Sequence, residues 1–591
     1  MSDAPPVAYK FGGFALLPAD KQLLHNGKPV PLAPKAFDTL LLLVEGRGHL
    51  VEKDTFLKRV WPDSFVEEVA LAHSISQVRK VLRNGARGLD FIETVPKRGY
   101  RFIAPVEVVR APPHESVSRV TLAVLPFENL AADLDNEYLA DGVTEEVIAA
   151  LGQVDPEHLG VIGRTSMMVY KRTTKSLAEI GAELSTEFLV EGSIRAEGGR
   201  LRITSKLIRA RDQVQIWSAS FDSESRSVLD FQRELSTAIA HQVRLRLSPE
   251  RMSALERRHP RRAEAYDLYL RGRYFWNQLS PPTTRRALEF YVRAIELDPD
   301  YALAWSGLAM AYAAGPINGD AAPLDVWPHA REAAAHAVGA APDLAETQTS
   351  LGLLKFWLDW DWAAAETACR RAIALDSSCG LAHRMLGVVF SALSRHEDAF
   401  RAMRRARELD PFDFTHHALS AQVAFTARDY VTAVEFARQA NLLNPEFWVA
   451  HYQLAQAYER MGQRDLALDA LQKASLFSSG NSKVISLRGY LLAKLARTAE
   501  AEELLHNLEA ASREKYVPPY AFALVHSGLG EREAALERLE RAYDAHDVHL
   551  VLLVTDPKWD AFRQDGRFLA LIERCSFIGG MAGQEHPRRN A

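Results

Sequence analysis

Cysteine is scarce: three residues, Cys369, Cys379 and Cys575, in a chain of 591. That excludes a disulfide scaffold and fits a reducing compartment. Cys369 and Cys379 lack a CxxC spacing and have no matching His pair, so they read as small core residues. Long apolar runs are missing too. The nearest approach to a membrane span, Tyr301 to Gly315, is too short and too small in its side chains. The amino terminus, MSDAPPVAYK, has no apolar h-region. A cytoplasmic protein without a membrane partner is therefore expected. No Gly-rich phosphate loop, GKS/GKT or HExxH occurs, so no cofactor, no metal and no enzymatic activity are expected. A strong net charge is absent as well, at −5 for the whole chain. The distribution is more telling: residues 1–106 hold fifteen Lys and Arg against eleven Asp and Glu, a basic segment in an acidic whole.

What is present is a globular balance, 47% hydrophobic and 25% charged, in a chain too long for one core. Composition divides it into residues 1–108, a Pro-containing linker over 109–118, an α/β segment over 119–248, and a basic, Pro-broken linker over 249–263. Ala- and Leu-rich helical repeats follow over 264–550, then a capping helix over 551–575 and a disordered tail over 576–591.

In the first segment, short strands flank Asn26-Gly27, a tight-turn signal. Helices are expected from Pro34 to about Glu45 and from Lys53 to Trp61. A third, Glu67 to Arg83, aligns Leu71, Ile75, Val78 and Leu82 on one stripe. Its other side shows Ser74, Ser76, Gln77, Arg79, Lys80 and Arg83, and no acid occurs from Val69 to Arg83. A polar face without acids suits a phosphate-lined major groove. Phe91–Val95 and Tyr100–Ile103 form a hairpin whose loop carries Lys97 and Arg98, with Gly99 relieving the turn. An ordinary solvated basic helix is the plain alternative.

The motifs Phe56-Leu-Lys-Arg-Val-Trp61, Ile75-Ser-Gln-Val-Arg-Lys-Val-Leu82 and Phe91-Ile-Glu-Thr-Val-Pro-Lys-Arg-Gly-Tyr-Arg-Phe102 resemble the winged-helix effector domain of OmpR/PhoB-type and ToxR/CadC-type regulators, over roughly residues 7 to 106. The resemblance implies a third helix in the major groove and a hairpin wing at the adjacent minor groove. It places Ser74, Ser76, Gln77 and Arg79 on the groove face and Lys97, Arg98 and Tyr100 on the wing. With no receiver domain before this segment and no membrane span after it, neither Asp phosphorylation nor the ToxR/CadC mode of control is expected.

The middle segment alternates strands and helices, with an early-helix acidic patch, Asp141, Glu145 and Glu146, that reads as solvated acids favoured by the helix dipole rather than as a metal site. Ala123-Val-Leu-Pro-Phe-Glu-Asn129, Tyr138-Leu-Ala-Asp-Gly-Val-Thr-Glu-Glu146 and Val190-Glu-Gly-Ser-Ile194 resemble the TolB-amino-terminal-like domain. Behind it, Gly387, Ala399, Ala406 and Pro411 recur 34 residues later as Ala421, Ala433, Ala440 and Pro445. That period of small residues closed by Pro is the tetratricopeptide signature, and about eight units are expected. Groove-facing positions would include Arg384, Gln422, Tyr452 and Gln456, with ordinary surface the even alternative.

The expected fold is thus multidomain: an α+β winged helix-turn-helix, an α/β TolB-N-like middle domain and an all-α tetratricopeptide superhelix. The expected function is transcription regulation through sequence-specific DNA binding. The alternative is a tetratricopeptide scaffold or signalling adaptor whose winged helix makes protein contacts only. Expected partners are double-stranded DNA, RNA polymerase, a protein or peptide ligand on the repeats, and a second copy of the chain as a homodimer.

Overall fold

The computed structural model describes residues 8–17, 22–25, 28–30, 32, 34–46, 48–60, 68–85, 90–96, 98–109, 120–130, 137–197, 200–223, 238, 258, 260–319 and 321–575. Asn26-Gly27, Trp61, Glu67, Lys97, most of both expected linkers and the tail over 576–591 lie outside these residues. The chain divides into two compact units, Met1–Ser118 and Arg119–Ala591.

In the first unit, strands β1 (Ala8–Phe11), β2 (Phe14–Leu17), β3 (Gln22–His25) and β4 (Lys28–Val30) run as an antiparallel meander, and β8 (Glu107–Val109) returns to pair with β1. Gly12 and Gly13 turn β1 into β2 at φ 50° and 81°, a left-handed pair that a two-residue hairpin turn requires. A second sheet takes β5 (Leu50–Glu52), β7 (Gly99–Phe102) and β6 (Ile92–Val95) in that order. Helices α1 (Pro34–Glu45), α2 (Lys53–Val60) and α3 (Glu68–Gly85) pack on one another, and α1 and α2 also meet the second sheet. Phe37, Leu40, Val44, Phe56, Val60, Leu71, Ile75, Val78, Leu82, Phe91 and Phe102 form one core. The hydrophobic stripes seen in the sequence are its inward faces.

The second unit opens with a mixed sheet, β11-β9-β12-β13-β14. Strand β9 (Val120–Val124) lies parallel to β11 (Leu159–Val161) and to β12 (Phe188–Glu197). Helices α4 (Glu137–Val154), α5 (Arg164–Met168) and α6 (Leu177–Leu184) make the crossovers, and β13 (Arg200–Arg209) and β14 (Val214–Ser223) finish the sheet antiparallel. The short helix α5 and the two-residue strand β10 (Glu128–Asn129) carry no periodic pattern and were not foreseen.

Eight antiparallel helix pairs follow among the described residues, from Ala263–Trp276 with Pro281–Leu297 to Pro519–Leu529 with Arg532–Asp544. Small residues sit where paired helices touch: Ala399, Ala406, Ala433, Ala440, Ala467 and Ala474 are fully or almost fully buried. Cys369 and Cys575 are buried and Cys379 half-buried, all three free. Burial pushes their thiols up to about 12, which leaves them inert core residues.

The sheet domain is docked on the repeats. Asp376 and Asp410, one 34-residue period apart, each sit against a glycine of the sheet domain, Gly152 and Gly163, where any side chain would collide with the carboxylate. Asp410 accepts hydrogen bonds from Thr165 N (3.1 Å) and Ser166 N (2.6 Å), and Ser378 Oγ accepts from Val161 N (3.1 Å). The array also meets itself: Lys483 Nζ donates to Ile317 O (2.5 Å) and Asn481 Nδ2 to Asn318 O (2.7 Å), joining the seventh helix pair to the second.

Three expectations change here. Asp141, Glu145 and Glu146 are not solvated. Asp141 pairs with Lys171 (2.5 Å), Glu145 with Arg273 and Arg164, and Glu146 with Arg258 (3.2 Å). Their helix packs on the first repeat helix, which brings Arg273 to Glu145; the other cations come from the sheet domain and from Arg258. Arg258, expected in a basic linker, is 1% exposed and bridges Glu146 to Glu346 (2.6 Å). The segment expected to cap the end of the array packs on its last helix and also crosses to the middle repeats. Lys558 Nζ donates to Gln456 Oε1 (3.0 Å), and Arg428 holds Asp560 with two bonds of 2.7 and 2.8 Å.

Candidate nucleic-acid interface

Helix α3 is amphipathic, and 100° per residue decides which side chains it offers. Ala72, His73, Ser76, Lys80 and Arg83 are exposed, and Gln77 and Arg79 half-buried. Ser74, expected on the groove face, is 5% exposed. It lies three residues after Leu71 and four before Val78, on the same stripe as both, so the helix turns it inward.

Gln77 Nε2 lies 2.9 Å from His73 Nε2, a bond between residues four apart on the open face. His73 was not singled out from the sequence; its i,i+4 spacing to Gln77 was the available signal. With His73 accepting, the Gln77 carbonyl oxygen and second amide hydrogen remain for a base edge. Lys80 carries no ion pair among the described residues, whereas Arg83 holds Asp90 at 2.9 Å on the open surface, a contact of small energy.

Arg79, expected on the groove face, is bonded to the neighbouring hairpin. Its Nη2 donates to Ile92 O (2.9 Å) and Thr94 Oγ1 (2.7 Å), and the guanidinium stands 5.9 Å from the Tyr100 ring centroid. The side chain therefore ties α3 to the β6–β7 hairpin. Tyr100 is half-buried, paired across strands with Thr94 and Val51, its ring edge-on to Phe56 at 6.1 Å.

The hairpin tip is held by backbone. Arg98 N donates to Val95 O (3.1 Å) and Arg98 O accepts from Lys53 N (3.2 Å), leaving the Arg98 side chain exposed with no ion pair among the described residues. Lys97 lies outside the described residues. Gly99 is not required for turn strain, since its φ is not positive. A β carbon there would run into Val51 O on the neighbouring strand β5, so glycine is needed for strand approach. The result is one exposed helix face, free of acid from Ala70 to Arg83, beside a cationic hairpin tip.

The repeat positions expected to face an open groove are largely engaged by the chain itself. Gln456 is 3% exposed and takes the Lys558 bond. Tyr452 is packed near Asp556, and burial raises its hydroxyl well above the ordinary range. Arg384 bonds Thr415 Oγ1 and His416 Nδ1 (3.2 Å). Gln422 is half-buried. The sequence period identifies paired helices but carries no signal for what fills their concave face.

Residues 27–102 match the family "Transcriptional regulatory protein, C terminal", residues 118–238 the "HilA/YgeH-like transcriptional regulator, second domain", and residues 449–477 the tetratricopeptide repeat. The putative adenylate cyclase 3 of Rhizobium meliloti (strain 1021) is 31% identical over 217 residues, 36% of each chain. The transcriptional regulator HilA of Salmonella typhimurium (strain LT2) is 26% identical over 301 residues, 50% of this chain and 52% of HilA. The transcriptional activator CadC of Escherichia coli (strain K12) is 33% identical over 98 residues, 16% of this chain and 19% of CadC. The chain thus spans about half or less of the length of the curated relatives it matches. No helix among the described residues is long and apolar enough to cross a membrane. The chain carries matches to an OmpR/PhoB-type winged-helix DNA-binding domain, a HilA-like second domain and a tetratricopeptide repeat, and is similar to the regulators HilA and CadC over part of its length.

Proposed function

We propose that this chain regulates transcription by binding duplex DNA, with α3 in the major groove and the β6–β7 tip at the adjacent groove or backbone. The observation that carries the reading is the exposed, acid-free face of α3 joined to the hairpin through Arg79. Ser76, Gln77 and Lys80 take the groove, Gln77 reading a base edge and Lys80 a phosphate. Arg83 and Arg98 meet the backbone, Lys97 shares that role from the tip, and Tyr100 supports the wing. Arg79 acts as a brace that fixes helix and wing in one geometry, rather than as a base reader.

The adaptor alternative would have acids folded over this surface. Instead Arg79 bonds a carbonyl and a hydroxyl, and Lys80 and Arg98 meet no acid among the described residues. In this reading the repeats first hold the HilA-like domain, and a protein partner engages array surfaces other than Arg384, Tyr452 and Gln456. RNA polymerase is the partner class a bound regulator requires, and catalysis has no part. Genome-wide mapping of DNA bound by the intact chain tests the proposal. A recurring sequence motif under the bound sites is the expected result; a pattern indifferent to sequence that Gln77→Ala leaves unchanged would contradict it.

A further inference from the structure

We propose that the cavity between the HilA-like domain and the repeats binds a small organic anion, a carboxylate or phosphate carried on an apolar body. The cavity measures about 330 Å3, within the range of small-molecule sites. Arg164 of α5 enters it from the sheet domain, Arg273 from the first repeat helix, and Arg384 and His416 from the fourth and fifth repeats.

The lining holds five carboxylates and three guanidinium groups, so unspent hydrogen-bonding capacity rather than the charge count points to the ligand. The buried lining atoms without a partner are all nitrogens: Nε of Arg164, Arg273 and Arg384, and Nε2 of His416, whose residue is 2% exposed. No carboxylate oxygen of the lining is among them. The acids are already served. Asp410 accepts from Thr165 and Ser166, Asp413 from Thr415 N (2.7 Å), Asp376 from Ser378 N (2.8 Å), Glu145 from Asn277 (3.0 Å) and Glu346 from Arg258 (2.6 Å). Arg164 makes no side-chain hydrogen bond among the described residues; its nearest carboxylate oxygen, on Glu145, is 3.3 Å from Nε. A largely buried guanidinium with unspent donors calls for an anionic acceptor, and a planar carboxylate or a phosphate matches its fork.

Part of the wall is apolar. Ile148, Ala149, Met310 and Leu381 line it, with Trp276 and Phe414. An anion with a hydrocarbon or aromatic body fills this space better than an inorganic ion. Because both the sheet domain and the repeats contribute walls, the ligand bridges them and stabilises their union by mass action.

The test is calorimetric titration of the intact chain, at constant ionic strength, with acetate, benzoate, inorganic phosphate and phenyl phosphate. Saturable one-to-one binding of benzoate or phenyl phosphate is expected, at least tenfold tighter than its inorganic or methyl counterpart. The tighter of the two identifies the head group. Arg164→Gln removes the unspent donors and Ala149→Phe fills the space; each should weaken binding at least tenfold while circular dichroism remains that of the wild type. Should either variant fail to fold, the other decides. In the wild-type chain, saturating probe should slow phenylglyoxal modification of Arg164 several-fold. Absence of saturable binding by all four probes, wild-type affinity in a folded variant, or unprotected Arg164 would each overturn the proposal.

Discussion

Gln77 and Lys80 stand three residues apart on α3, yet the proposed reading gives them opposite signatures. An amide that pairs with one base edge discriminates among sequences, whereas an ammonium on a phosphate does not. Gln77→Ala should relax preference at one base pair at roughly 1–3 kcal/mol on the best site. Lys80→Ala and Arg98→Ala should weaken all duplexes about equally. Binding to a panel of single-base operator variants separates the two, and a reshuffled ranking in Lys80→Ala with a parallel loss in Gln77→Ala would invert the assignment. A second residue-scale outcome concerns Glu146, which is 2% exposed between Arg258 and the Tyr269 hydroxyl (3.1 Å). Glu146→Ala leaves a fully buried guanidinium with one partner fewer and should destabilise the second unit by about 3–5 kcal/mol, read by chemical denaturation. An effect below about 1 kcal/mol would mean that water reaches Arg258. At this scale the sequence was legible where spacing governs. Leu71, Ile75, Val78 and Leu82 are all buried as the stripe requires. It was not legible where a distant element supplies the partner, as for Glu146, or where a small polar residue such as Ser74 shares the stripe with larger apolar ones.

Elements show the same division. The helix from Leu177 to Leu184 has its start written into adjacent residues by a capping box, Ser176 with Glu179. The hairpin β6–β7 was legible from its alternation, but the reason for Gly99 was not, since the clash lies with β5, almost fifty residues earlier. Gly99→Ala should push β7 off β5 and destabilise the first unit by about 3 kcal/mol. A loss confined to a few tenths would show that the strands can part without penalty. Helix α5 yields a pH signature. Burial, and then Asp413, raise the Asp410 carboxyl to about 7 against the hydrogen bonds from Ser166 and Thr165. Its folded pKa thus exceeds its unfolded value, so the folded chain holds more protons between about pH 4 and 7, and the Asp410 contribution declines as pH rises through that window. His416 works the other way: burial lowers it to about 4, so its contribution is lost as pH falls from about 6.5 toward 4. Arg164 and Arg384 face the same cluster. Asp410→Asn removes the declining slope alone. The melting temperature of the wild type should therefore fall steadily relative to that of the variant from pH 4 to 7; a constant difference would show that Asp410 does not titrate there.

At the scale of the whole molecule, the second unit is one continuous core running from β9 through the repeats to Cys575. The 34-residue period announced the array, and the array's helices obey it. Its use was not announced: the docking glycines Gly152 and Gly163 and the bridging Arg258 belong to no periodic pattern, and a period cannot show that a carboxyl-terminal segment folds back on earlier repeats. The winged helix, by contrast, was legible in fold, because the inward stripe of α3 follows a single helical period, whereas two of the residues expected on its open face, Ser74 and Arg79, are engaged elsewhere. DNA binding through the winged helix requires that face to meet phosphate. Equilibrium titration of the intact chain onto random-sequence duplex, over salt from about 50 to 200 mM, tests it most directly. The expected result is a log–log line whose slope is about −0.9 per phosphate neutralised, shallower by about one unit in Lys80→Ala and again in Arg98→Ala. An affinity indifferent to salt, a slope untouched by either variant, or no binding at the lowest salt would contradict it.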